Sequence, residues 1–407
     1  MKLAIAIPAL NEEASIGAVI EAAIAAQAEI TRASPVEQVD IIVVSDGSTD
    51  RTAEIAGGFG AAVKLVVFPT NRGYGAAIQE AWRQSDADLL GFMDADGTCD
   101  PSFFAPLCRT VCDTGADIVL GCRMTPSSEM PLVRRVGNTA FAWLLTALSS
   151  RRVRDTASGM RVVRRSALPR LSPLPDGLHF TPAMTARALL GGGIRLVEID
   201  MPYRERAGRS KLQPTRDGWR FLKAIFDAAF LYRPYVPFAA LGALCAVVAT
   251  ALMVRPILHY AAHRSVLEWM IYRFIVSDLL GISAALLFAA AYLTRKMVRI
   301  SLQDSRSQSR MERRFAGPAP LLIGVVLVLA GGALVVPSLV ELVRTGATYE
   351  HWSRFVTMSF LVSVALVLVV ARAIDHVLNL LAARLEYLRR SAAPSGPSDP
   401  PRRDPSE

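Results

Sequence analysis

An α/β domain followed by an all-α membrane domain of four spans is the fold this sequence predicts, on three observations. Residues 1–205 alternate short β-rich runs with helical patterns, the signature of a mostly parallel sheet layered with helices. Between residues 236 and 371, four apolar stretches each approach the roughly 20 residues needed to cross a bilayer. The 407-residue chain is 52% hydrophobic with a mean hydropathy of +0.33, which is high for a soluble enzyme.

The candidate strands, in order, are Leu3–Ile7, Asp40–Val44, Val63–Phe68, Leu89–Met93, Ile118–Leu120 and Leu196–Ile199. Helical patterns lie between them, among them Ala14–Gln27 with Asn11 as its cap and Gly75–Gln84. Residues 1–212 form the predicted α/β domain. Residues 213–233 follow as an amphipathic helix, with Trp219, Leu222, Ile225, Phe226 and Phe230 on one face and Arg216, Arg220 and Lys223 beside it. That pattern suits a helix lying in the membrane interface, or one packed on the domain core. Phe141–Leu148, with Trp143, can share either role.

The spans are expected near Val236–Val254, Phe274–Thr294, Pro318–Leu339 and Phe355–Ala371, within a membrane domain of residues 234–372. Asp278, near the start of the second, is an intramembrane or interfacial carboxylate and hence a functional candidate. Seven basic residues fall in 295–315 and six in the tail after Ala371, against three in 255–273 and two in 338–354. The positive-inside rule then places the N-terminal domain, the middle loop and the tail (373–407, its end disordered) in the cytoplasm. Four spans return the chain to its starting side. The N-terminus enters a strand directly, so no signal peptide is expected.

Net charge is +9, of which +2 belongs to residues 1–233 and +7 to residues 234–407. The basic excess surrounds the apolar half, where it suits anionic headgroups. No basic run with interleaved aromatics points to nucleic acid. Cys108 and Cys112 lie one helical turn apart, but no further Cys or His completes a zinc pattern, so the five cysteines read as free thiols.

Three strand ends carry the chemistry. Leu89 to Thr98 runs as a buried strand into Asp94-Ala95-Asp96-Gly97. Ligands of open α/β sheets bind beyond the carboxyl ends of strands, where these two carboxylates fall. Hard oxygens of this kind suit Mg²⁺ or Mn²⁺ between protein and a diphosphate. Ile41 to Asp50 ends in Ser45-Asp46-Gly47, with Asp46 placed to meet a base or ribose and Ser48 or Thr49 to cap the next helix. Ile5 to Glu13 brings Pro8, Leu10, Asn11 and Glu12 to the same edge. Polar residues converging at three strand ends point to a nucleotide pocket.

The set Ile7-Pro8-x-x-Asn11-Glu12, Ser45-Asp46-Gly47-Ser48-x-Asp50, Asn71-Arg72-Gly73-x-Gly75-Ala76-Ala77 and Asp94-Ala95-Asp96 resembles the family 2 glycosyltransferases, which have the Rossmann-like GT-A fold. Asp155-x-x-Ser158-Gly159-Met160-Arg161 and Gly208-x-Ser210-Lys211-Leu212 resemble, more narrowly, the dolichol-phosphate mannose synthase and polyprenyl-phosphate glycosyltransferase branch. The resemblance covers about residues 3–230, and the four-span region is similar to the membrane-bound members.

This resemblance implies that Pro8, Leu10, Glu12 and Asp46 line the nucleoside site. It implies that Asp94, Ala95 and Asp96 hold the metal and donor diphosphate, with Thr98 where mannose synthases often carry Gln. Arg123 matches an arginine near the active site. Arg206, with Arg204 as the alternative, and Lys211 match the basic pair of a loop over the phosphates, and Arg134 and Arg135 fall where an acceptor-phosphate arginine is expected. The family's paired Asp at the second strand end is here Ser45-Asp46.

The implied reaction is an inverting, metal-dependent transfer of a sugar from a UDP- or GDP-linked donor to a polyprenyl phosphate (dolichyl or undecaprenyl) at the cytoplasmic membrane face. A phosphate monoester is already anionic at neutral pH, so the work lies in positioning two anions and stabilising the leaving group. His179, the one histidine of the catalytic domain, reads as structural or donor-lining. A processive polysaccharide synthase is the enzymatic alternative, but its Gln-x-x-Arg-Trp string is absent. A catalytically idle scaffold is the other. The sugar, the nucleotide and assembly into homo-oligomers are left open by the sequence.

Overall fold

The computed structural model describes residues 1–392 apart from 127, 204–212, 303–313, 316 and 347–350. The chain divides into two compact units, Met1–Arg233 and Pro234–Glu407.

The first unit is built on seven strands: β1 (Lys2–Ala9), β2 (Gln38–Asp46), β3 (Lys64–Phe68), β4 (Leu89–Phe92), β5 (Ile118–Cys122), β6 (Arg161–Arg164) and β7 (Leu196–Asp200). Its helices are α1 (Ile16–Ala33), α2 (Thr52–Gly57), α3 (Tyr74–Arg83), α4 (Phe104–Thr114), α5 (Leu132–Ser149), α6 (Leu168–Leu171), α7 (Phe180–Leu190) and α8 (Pro214–Tyr232). The sheet order is β3-β2-β1-β4-β6-β5-β7. β1 pairs in parallel with both β2 and β4, with Ile5 opposite Ile41 on one side and Gly91 on the other. The chain thus winds outward from β1 to β3 and then crosses back to β4. That reversal opens a crevice beyond the carboxyl ends of β1 and β4.

The period of two in β1 sorts its side chains onto two cores. Leu3, Ile5 and Ile7 pack with Ile16, Ile20 and Ile30 of α1 and with Phe104 and Leu107 of α4. Ala4 and Ala6 point the other way, where their small size admits Trp82 of α3, Phe92 and Phe180. These three rings lie with centroids 5.8–6.0 Å apart.

All six expected strands are present. The seventh, β6, is absent from the expectation because Arg161-Val162-Val163-Arg164 offers only two apolar residues between arginines. It runs antiparallel to both β4 and β5, so the sheet is mixed. α1 starts at Ile16, not Ala14, and Asn11 does not cap it. Asn11 sits in the left-handed region (φ 49°) and its Oδ1 accepts from the Thr49 amide at 2.8 Å. α2 starts at Thr52 with Arg51 at its N-cap position, so neither Ser48 nor Thr49 caps it; Asp50, one residue before the cap, accepts from the Thr52 amide through Oδ1.

α8 belongs to the first unit. Ile225, Ala228 and Ala229 are buried against Ala142 and Leu145 of α5 and Leu189 and Leu190 of α7. Its other side shows Trp219, Phe226 and Phe230, and α5 likewise shows Val136 and Trp143; Trp143 is 73% and Trp219 67% exposed. The helix thus packs on the domain core through one face, the second of the two roles foreseen for it, and leaves its other, aromatic face exposed.

The second unit contains α9 (Tyr235–His263), α10 (Ile271–Leu302), α11 (Ala319–Thr345) and α12 (Trp352–Ala392). All four are long and apolar enough to cross a membrane. α12 continues about 20 residues beyond Ala371, so the region expected as tail begins as helix; its end lies outside the described residues. Lys296 of α10 and Asp375 of α12 form a buried ion pair, and Tyr292 donates to Asp375 Oδ1 at 2.7 Å. Asp278 Oδ1 is buried with no hydrogen-bond partner among the described residues.

Candidate active site

The crevice is a cavity of about 690 Å³ within the first unit. Its floor is the carboxyl edge of β1, β2 and β4, contributing Pro8, Leu10, Glu12, Asp46, Asp94, Ala95 and Asp96. Arg123 and Arg134 line it as well.

The loop after β1 is held by the loop after β2. The Asn11 amide donates to Ser48 Oγ (3.1 Å), the Glu12 amide to Thr52 Oγ1 (2.8 Å) and the Glu13 amide to Asp50 Oδ2 (3.1 Å). The Ser48-x-Asp50-x-Thr52 run after Asp46 thus supplies acceptors for three successive backbone amides. Asp46 is 3% exposed, and its two oxygens accept from the amides of Arg72 (2.6 Å) and Gly73 (2.9 Å). It fixes the turn into α3, where Gly73 (φ 110°) lies against Asp176 so closely that a Cβ would meet its carbonyl oxygen at 2.4 Å. Ser45 is fully buried and its hydroxyl has no partner among the described residues.

Asp94 and Asp96 are aimed by neighbours. The Tyr74 hydroxyl donates to Asp94 Oδ1 at 2.7 Å. Burial and that carboxylate push the Tyr74 phenol well above the usual tyrosine range, so it remains a donor. Gly159 lies directly against the same carboxylate: a Cβ there would sit 2.0 Å from Asp94 Oδ2. Asp96 Oδ1 accepts from the Thr98 hydroxyl (2.7 Å) and amide (3.2 Å). Between the two carboxylates, the Ala95 carbonyl accepts from Ser15 Oγ at 2.8 Å. Cys99 is buried beside them, its thiol pushed up to about 12 by burial, and is inert.

Arg123 makes a two-pronged ion pair with Asp155, Nε to Oδ2 at 2.8 Å and Nη2 to Oδ1 at 2.9 Å. Burial opposes both charges, but each outweighs that cost for the other, raising the arginine and lowering the carboxyl. Asn138 of α5 donates to Asp155 Oδ1 at 3.1 Å and accepts from the Thr156 amide at 3.0 Å, tying α5 to this loop. Arg161 is fully buried and donates to the carbonyls of Thr156 and Ser158 and to Thr185 Oγ1. Burial pulls it down to about 10, which leaves it a cation at neutral pH. The Asp155–Arg161 run is therefore a braced loop that presents Gly159 to Asp94.

Thr98 is 1% exposed and reaches Asp96, not the cavity. Arg135 turns from the cavity and donates to the Thr125 carbonyl at 2.8 Å. Arg204, Arg206 and Lys211 lie outside the described residues. His179 stands at the N-cap position of α7 without a side-chain cap bond; burial, then Arg220 and Lys223, lower its pKa and favour the neutral ring. Tyr74, Asn138 and Tyr203, whose ring lies 5.6 Å from the Arg123 guanidinium, were not foreseen. Tyr74 occupies the unspecified position of Gly73-x-Gly75, which was its only trace in the sequence.

A family model described as glycosyl transferase family 2 matches residues 4–171. A dolichyl-phosphate hexose transferase of Haloferax volcanii is 35% identical over 229 residues, covering 55% of this chain and 92% of that protein. The low-salt glycan biosynthesis hexosyltransferase Agl6 of the same organism is 33% identical over 54% of this chain, which spans about half (52%) of that relative's length. A solved structure, the glucosyl-3-phosphoglycerate synthase of Mycobacterium tuberculosis with Mn²⁺, UDP and phosphoglyceric acid, is 22% identical, covering 56% of this chain and 78% of that one, with a TM-score of 0.43. With the motifs after β1, β2 and β4 gathered on one cavity and a relative matched along nearly its whole length, the chain belongs to the family 2 glycosyltransferases of GT-A fold and is a glycosyltransferase.

Proposed function

We propose that this chain transfers a sugar, with inversion, from a UDP- or GDP-linked donor to the phosphate of a polyprenyl lipid at the cytoplasmic face of a membrane. The observation that carries the reading is the pair Asp94 and Asp96 at the reversal of strand order, in a cavity that Arg134 also lines. The acceptor is supported by the name of the 35%-identical relative and by four helices of membrane-spanning length. The exposed aromatic faces of α5 and α8 support contact with lipid.

A divalent cation fits the residues present. Asp94 and Asp96 offer only hard oxygens, and among the described residues no cluster of three ligands forms a complete cage. Two carboxylates suit Mg²⁺ or Mn²⁺ that completes its shell with water and substrate phosphates. When bound, such an ion neutralises charge on the departing nucleoside diphosphate. Tyr74, Gly159 and Thr98 hold the carboxylates in place for it. Pro8, Leu10, Glu12 and Asp46 form the nucleoside end, with Asp46 acting through the turn it fixes. Arg134 meets the acceptor phosphate, which is already an anion and needs no general base. Arg123 sets the cavity wall through Asp155.

The test is nucleotide-sugar turnover in membranes holding the full chain. Turnover should require added polyprenyl phosphate and a divalent cation, and Asp96→Ala should abolish it in a protein that still folds. Full metal-dependent turnover by Asp96→Ala sinks the metal assignment.

A further inference from the structure

The first unit has a second concavity, of about 480 Å³, lined by Arg151, Arg152, Arg195, Gly193 and Ile194. No carboxylate lines it. Among the described residues, none of the three guanidinium groups has an acidic partner within 4.0 Å. Asp117, which the Arg195 amide reaches, is engaged by Arg170 at 2.6 Å. Arg151 and Arg195 each donate to a backbone carbonyl, of Ile194 and Thr114, which positions them but leaves their charge uncompensated, so three cations around one hollow form a site of positive potential.

Its place in the chain says what would occupy it. Arg233 is the last residue of the first unit, two before α9 begins. It donates to the carbonyl of Ser149 at 3.1 Å and also to that of Leu190 at 3.4 Å. Ser149 Oγ donates to the Arg151 carbonyl at 3.1 Å and accepts from the Arg151 amide, and Arg151 Nη1 donates to the Ile194 carbonyl at 2.9 Å. Both walls of the hollow are thus tied through a short hydrogen-bond chain to the residue from which the first apolar helix departs. A chain that enters a bilayer with α9 brings the residue before that helix to the headgroup zone, about 5–7 Å deep on each side of the hydrocarbon core, so headgroup phosphates are the anions within reach of the segments tied to Arg233.

We propose that the Arg151/Arg152/Arg195 hollow binds the phosphate headgroup of an anionic bilayer phospholipid, at a site separate from the transfer cavity. Arginine suits it because its planar fork matches phosphate oxygens in pairs. The site rests on α9 entering a bilayer and not on the sugar chemistry, so failure of either reading leaves the other standing.

The experiment reconstitutes the full chain in nanodiscs of phosphatidylcholine, with or without phosphatidylglycerol, and reads backbone deuterium exchange over residues 149–153 and 189–196. Phosphatidylglycerol should slow exchange in both segments. Each arginine at an anionic leaflet strengthens attraction about fivefold, so Arg152→Gln should lose most of that slowing and Arg152→Lys should keep much of it. Arg152 is the residue to change because its side chain makes no hydrogen bond among the described residues, so folding does not depend on it. Inorganic phosphate added to phosphatidylcholine discs should have no effect. Equal exchange in the two lipids, unchanged slowing in Arg152→Gln, or protection by inorganic phosphate alone each overturns the proposal.

Discussion

Gly159→Ala tests how the site is built more sharply than removal of either carboxylate. The added Cβ would lie 2.0 Å from Asp94 Oδ2 and 2.6 Å from its Cγ. Ordinary contact begins near 3.4 Å, so carboxylate and loop must part by about 1.4 Å. Neither yields easily. Asp94 is tethered to Tyr74 at 2.7 Å, and the loop is pinned by the buried Arg161 and by Ser158 Oγ donating to the Gly121 carbonyl at 2.6 Å. A misplacement of about 1 Å at a reacting centre costs about 100-fold in rate, equivalent to about 2.7 kcal/mol. Overpacking costs about 1–3 kcal/mol of stability, so the variant folds with a lowered Tm. The assay is nucleoside diphosphate release by the full chain in membranes, beside Gly332→Ala, where a Cβ meets open space. Gly159→Ala with activity within about twofold of the parent would refute the claim that this glycine aims Asp94.

Arg134→Ala should raise the KM for polyprenyl phosphate by about 10- to 100-fold, the worth of a charged hydrogen bond, while the nucleotide-sugar KM barely moves; Arg135→Ala should do neither, and equal effects on both substrates would argue against the assignment. Asp155 has a folded-state pKa below its ordinary 3.8, because Arg123 outweighs the burial that would raise it. Its stabilising share is therefore complete above pH 3.8 and fades as pH falls below it. The stability gap between parent and Asp155→Asn should be about 3–5 kcal/mol near neutrality and shrink toward pH 3 in denaturant titrations. In the second unit, Lys296→Ala leaves Asp375 buried beside Tyr292 and should lower the Tm of the detergent-purified chain, whereas Lys296→Ala with Asp375→Ala should recover part of the loss.

The floor of the site was legible because each part of it is local. A strand of four apolar residues ending in Asp94-Ala95-Asp96 states its own position, and the same holds for Pro8 and Asp46. What braces the floor was not legible, because it comes from far along the chain. Gly159 meets Asp94 across 65 positions, and Asn138 reaches Asp155 across 17. Arg134 and Arg135 are adjacent, so the sequence could not choose between them; a helix turns about 100° per residue, which sends one to the cavity and the other to Thr125. β6 escaped because its two arginines, one of them the fully buried Arg161, imitate a polar loop. The membrane spans were plain from length and composition, but the Lys296–Asp375 pair inside them joins two helices 79 residues apart.

The central claim is that the sugar ends on a lipid phosphate. Membranes containing the full chain are given polyprenyl phosphate and isotopically labelled UDP- and GDP-sugars in turn, and the organic-soluble product is isolated and identified by mass spectrometry. The account predicts one labelled polyprenyl phosphate carrying a single sugar through a phosphodiester of inverted anomeric configuration, absent in Asp96→Ala. Label appearing instead in a water-soluble glycoside or a growing polymer, with the lipid phosphate unmodified, would contradict it.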